Sequence, residues 1–92
     1  MVFDWDPEKN DLLQKERGIS FERIVVSVEE GRVRDILAHP NDKRYKNQVL
    51  MLVEIDEYIW VVPALFEKER IVLKTAFPSR KYTAIYLPEM EK

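Results

Sequence analysis

The chain has no cysteine and only one histidine in its 92 residues. The first absence excludes a disulfide framework, a thiol nucleophile and a thiolate metal site, so packing alone must hold the fold. The second leaves too few nitrogen ligands for an ordinary metal centre, and the carboxylates are scattered over helix starts and turns, so no metal and no cofactor is expected. Long apolar runs are missing too. Charges interrupt every hydrophobic stretch well before the ~18 residues a membrane helix needs, and nothing resembles a secretion signal. With 15 basic and 17 acidic residues the formal charge is −2. There is thus no global attraction to nucleic acid, and any such binding rests on a local patch. Repeats and low-complexity segments are absent. The expectation is one small soluble, cytoplasmic domain, 1–92, with a single core.

What is present is a run of strands behind two helices. Val2 to Trp5 is a strand-like start. Asp6-Pro7 then supplies an N-cap and a proline at the first helical position, opening a helix from Pro7 to about Arg17 that Gly18 ends. Ser20 caps a second helix, in which Phe21, Ile24, Val25 and Val28 form one apolar stripe, and Gly31 ends it. Arg32 to Ala38 alternates as a strand and stops at His39-Pro40. A polar connection holding Lys43, Arg44, Tyr45 and Lys46 follows. Gln48 to Ile55, Tyr58 to Phe66 and Arg70 to Phe77 then read as an antiparallel meander. Pro78 breaks the last strand, and Ser79 caps a closing helical turn through Ala84.

A two-residue first turn sets Val53 opposite Trp60 and Leu52 opposite Val61, and a three-residue second turn sets Val62 opposite Lys74. In that register Leu50, Leu52, Ile59, Val61, Pro63, Leu65, Ile71, Leu73, Thr75 and Phe77 form the core face, which the two helices cover. Val53, Tyr58, Trp60, Val62, Phe66, Arg70 and Lys74 form an outer face suited to a charged partner.

The opening Phe3-Asp4-Trp5-Asp6, with Lys9 and Asn10 behind it, then Arg17-Gly18-Ile19-Ser20-Phe21-Glu22, and finally Ser79-Arg80-Lys81, resembles the BrnT-type toxin family along nearly the whole chain. The resemblance implies a RelE-like α+β fold, two N-terminal helices packed on one face of an antiparallel sheet, in the order β-α-α-β-β-β-β with a short C-terminal helix. It also implies a ribonuclease of a type II toxin–antitoxin pair, held inactive by a cognate antitoxin, the implied partners being a ribbon-helix-helix DNA-binding protein and RNA, in a homodimer or a toxin–antitoxin hetero-oligomer. The chain departs from the family at Arg17, where histidine is frequent, and in its shorter closing helix.

Metal-free RNA cleavage uses the substrate's own 2′-hydroxyl as nucleophile, so the protein need supply only proton transfer and cations. By family position, Arg80, Lys81, Arg17 and Lys9 are the catalytic candidates. Arg44, Tyr45, Arg70 and Lys74 are the RNA-binding candidates, the arginine and tyrosine of the loop as a phosphate clamp and a base stacker. His39 is attractive because histidine as a residue type titrates nearest neutrality, but a histidine before proline at a strand end is more often a turn residue. The competing expectation is a non-catalytic interaction module using the outer face and the Val49 to Ile55 region.

Overall fold

The computed structural model describes residues 2–41 and 43–91. Among these, six strands and three α-helices form a layered α+β structure: β1 (Val2–Asp4), α1 (Pro7–Arg17), α2 (Phe21–Glu29), β2 (Val33–Ala38), β3 (Gln48–Ile55), β4 (Tyr58–Phe66), β5 (Arg70–Leu73), β6 (Phe77–Pro78) and α3 (Arg80–Tyr86), then a 3-10 turn, Pro88–Glu91. No helix among the described residues is long and apolar enough to cross a membrane.

The caps behave as their chemistry requires. Asp6 and Ser20 accept backbone N–H groups of the first turns of α1 and α2, and Gly18 takes the left-handed conformation (φ 68°) that closes α1. Ser79 caps α3 in the same way. That helix runs to Tyr86, two residues beyond the expected turn.

The sheet order is β1-β5-β4-β3-β2, with β6 pairing β4 beyond the end of β5. It is mixed, which corrects the expectation of a purely antiparallel sheet. The short opening strand lies parallel to β5, Val2 facing Arg70, because α1 and α2 return the chain across one face before the meander begins.

The β3–β4 register is as the two-residue turn dictates, Val53 opposite Trp60 and Leu52 opposite Val61. Asp56 and Glu57 form that turn with φ of 52° and 63°, the left-handed pair that matches strand twist, here built without glycine or asparagine. The β4–β5 register is one residue away from expectation. Glu67 N–H donates to Arg70 C=O, so Arg70 belongs to the turn closure, and Leu73 stands opposite Ala64 where Val72 was expected.

The face assignment is corrected with it. The helices cover Met51, Val53, Ile55, Val62 and Ala64, joined by Ile71 and Leu73 from the shifted strand; Leu13, Phe21 and Ile24 pack on them. Val53 and Val62, assigned to the outer face, are fully buried. Leu52, Ile59 and Val61 instead form a second, smaller core under Leu87, Tyr82 and Tyr86. The short α3 makes this second layer possible. Thr83 Oγ1 accepts the Ile59 N–H at 2.8 Å and donates to Ser79 C=O at 2.7 Å, which pins the helix to β4.

Candidate functional site: a donor-lined groove

At the sheet end where β3 begins and β5 stops, a groove of about 390 Å³ opens. Lys9 reaches it from the first turns of α1, and Lys74 and Thr75 from the stretch after β5; His39 and Tyr45 come from the β2–β3 connection, and Gln48 and Pro63 from the strands. The local chain course explains the gathering. Lys74 N–H donates to Pro63 C=O at 2.9 Å, which holds the segment after β5 against β4. Tyr45 N–H donates to Asn41 C=O and Gln48 N–H to Tyr45 C=O, both at 3.0 Å, so the connection folds back as a turn onto the start of β3.

The polar side chains of this groove are two ammonium groups, an imidazole, a phenol, a carboxamide and a hydroxyl. Among the described residues no carboxylate lines it. Low-charge walls with cations and hydrogen-bond donors concentrate an anion, and an oxyanion above all.

Asn41 N–H donates to His39 Nδ1 at 3.1 Å, which orients the ring and leaves Nε2–H as the donor it can present. His39 also stacks on Tyr45 at 4.3 Å between ring centroids, and the Arg44 guanidinium lies 5.5 Å from the Tyr45 centroid. Tyr45 thus has His39 as a ring neighbour within the chain. Its hydroxyl and the outer surface of His39 remain for a ligand.

The eight sequence-derived site residues separate here. Lys9, Tyr45 and Lys74 come together in the groove, and Arg44 stands beside it. Arg70 does not join them. Its guanidinium donates to Glu67 at 2.5 Å and Asp4 at 2.7 Å on the β1–β5 edge, and Glu67 chiefly, with Asp4, raises its pKa above the ordinary arginine value. Arg70 stands in an edge-strand ion pair with both carboxylates, outside the groove. Arg17 is exposed in the last turn of α1 and does not line the groove. Arg80 and Lys81 are exposed in the first turn of α3, also outside it, with Lys81 Nζ 5.2 Å from the Tyr82 centroid. His39, set aside in the sequence, also lines the groove, as do Gln48 and Thr75, which carried no sequence signal. The one sequence signal of His39 was its chemistry.

Much of the motif that suggested the family is used by the fold. The buried Asn10 side chain accepts Phe21 N–H and donates to Glu22, both at 2.8 Å, which bolts α1 to the start of α2. The Asn10 donation, more than any other contact, holds the Glu22 carboxyl below the usual carboxylate range. Trp5 packs on Phe21 at 5.7 Å, Asp4 accepts Arg70, and Asp6 and Ser20 are caps. Compared with known proteins, the chain matches no family model and no curated protein.

Proposed function

We propose that the chain is a metal-independent endoribonuclease, the RelE-like toxin of a toxin–antitoxin pair. The observation that carries this reading is the groove in which Lys9, Lys74, Tyr45 and His39 converge with no described carboxylate among them. In the reaction the RNA 2′-oxygen bonds to phosphorus while the bond to the 5′-oxygen breaks. The 2′-proton leaves to water, and the 5′-oxygen takes up a proton from water. The products are a 2′,3′-cyclic phosphate and a 5′-hydroxyl. Lys9 and Lys74 stabilise the charge that accumulates on the phosphorane, and the His39 Nε2–H and Tyr45 O–H donate to its oxygens. Arg44, beside the stack, holds a neighbouring phosphate. The family resemblance assigns weight to Arg80 and Lys81 as well, as contacts to phosphates outside the groove.

Expression without its partner should arrest bacterial growth. In vitro, the purified chain should cleave single-stranded RNA in excess EDTA and fail on RNA with a 2′-deoxy nucleotide at the scissile position. Normal growth at high soluble expression, or products ending in 5′-phosphate, would sink the reading.

A second reading, a binding module without catalysis, draws on a different observation: Asp4, Asp6, Asn10, Ser20, Phe21 and Glu22, which carry much of the resemblance, all have structural partners. On that reading the chain binds a protein partner through its exposed sheet face, and the same RNA assays give no turnover.

A further inference from the structure

A second concavity lies between the start of α2 and the tip of the β3–β4 hairpin. One part, about 400 Å³, is floored by Ile19, Ile55, Tyr58 and Trp60. The other, about 270 Å³, is lined by polar side chains only, among them Glu30, Arg32, Glu54 and Glu57. Arg23 and Asp56 line both parts, so the two form one trough with an aromatic end and a charged end.

The charges of the trough do not balance. Glu54 is answered by Arg34, which donates from Nε at 2.8 Å and also from Nη2, and more distantly by Arg32 at 3.9 Å. Arg32 also holds Glu30 at 3.2 Å. Arg23 is anchored on Ser27 Oγ at 2.5 Å and reaches Asp56 only at 3.5 Å, with the Asp56 side chain 88% exposed. Glu57 has no ion pair among the described residues. The rim therefore presents two carboxylates with weak or no compensation beside an aromatic floor, and four carboxylates to two guanidinium groups line the charged end.

Like charge opposes a polynucleotide here, and complementary charge favours a cationic ligand. Tyr58 and Trp60 are alternate residues of β4 and so stand on one face, half-buried, as a platform for an apolar side chain or a guanidinium plane. We propose that the trough is a docking site for an extended segment of a partner protein carrying an apolar or aromatic anchor next to two basic side chains. The anchor sits on Tyr58 and Trp60, and the cations meet Asp56 and Glu57. This goes beyond the ribonuclease reading and does not depend on it.

The test is an amide-shift titration of the full chain with blocked tetrapeptides of one leucine, one serine and two arginines, in both orders. A peptide with glutamates for the arginines and a single-stranded hexauridylate serve as comparators. One basic peptide should shift the amides of Gly18, Ile19 and Ile55 to Trp60, with the Trp60 indole, in a saturable way. Asp56→Asn with Glu57→Gln should weaken it about tenfold, as loss of rim charges that steer and hold a cation does. Tyr58→Ala should weaken it through the floor, and amide shifts outside the trough check that each variant is folded. The proposal is overturned if neither basic peptide binds saturably, if the acidic peptide binds as well, or if hexauridylate occupies the same amides. None of these outcomes touches cleavage in the groove.

Discussion

The groove and the aromatic end of the trough are nearly the same size, about 390 Å³ and about 400 Å³, yet groove and trough are opposite in character. One gathers cations and donors with no described carboxylate; the other ends in a rim where carboxylates outnumber guanidinium groups. A formal charge of −2 averages the two and describes neither. An acidic total argues against nucleic acid only when the charge is evenly spread, and here the fold sorts it.

The largest expected effect tests the groove directly. Lys74→Ala and Lys9→Ala should each lower single-turnover cleavage of a labelled RNA by about 10²-fold, the loss typical of one donor to a developing oxyanion. The Asp56→Asn, Glu57→Gln chain should cleave as the parent does. If Arg80→Ala or Arg17→Ala proves more damaging than the lysine variants, the chemistry belongs at the helix ends and the groove is only a binding surface.

Next in size is a contrast between adjacent residues. Asn10→Ala strands the buried Phe21 N–H and should lower stability by about 2 kcal/mol in urea unfolding, loosening the α1–α2 junction that walls the trough. Lys9→Ala, on the exposed side of the same turn, should move it by less than about 0.5 kcal/mol. Equal effects would mean that Lys9 is structural.

Glu57→Gly should have the opposite sign. A non-glycine residue at φ 63° carries a left-handed penalty, so the glycine variant should be about 1 kcal/mol more stable and melt several degrees higher. It should also bind the basic peptide less well, which would separate the hairpin tip's stability from its use.

The smallest effect concerns neither cavity and serves as the baseline. The Tyr86 O–H first, then Ile36 N–H, hold the Asp35 carboxyl below its ordinary range, and Asp35 in turn raises the Tyr86 pKa. A depressed carboxyl stabilises the fold above its unfolded value and loses that contribution as pH falls through the folded one, so the pair weakens from about pH 4 downward. The raised phenol weakens it only in strong alkali, as pH climbs through the folded value. Tyr86→Phe should flatten the acid limb of thermal stability and leave both cavities' functions unchanged.

Local chemistry was legible in the sequence where it was local. Asp6-Pro7, Gly18 and Ser20 delimit α1 and α2 because capping is decided within four residues, and the two-residue turn set the β3–β4 register unaided. The β4–β5 register was not legible, since whether Arg70 joins the turn depends on a backbone hydrogen bond that residue types do not encode. The face assignment failed for a related reason. Both faces of β3 and β4 are apolar, and the choice between them is made by α1–α2 on one side and by the short α3, with its Thr83 anchor, on the other. The groove was half visible: Lys9, Tyr45 and Lys74 were candidates on separate grounds, and only tertiary pairing brings them to one place with His39.

The parallel pairing of β1 with β5 also sets an order in time. Val2 and Arg70 are the most widely separated strand partners in the sheet, and such a contact must wait for the chain between them. During synthesis β1 has no strand to join until β5 has left the ribosome, whereas the β2–β3 and β3–β4 pairings can already have formed. Lys9 follows β1 and Lys74 follows β5, so the two amines are brought into one groove only once these strands have met. A nascent chain lacks the complete groove until β5 has emerged, and the activity proposed for it waits on that pairing.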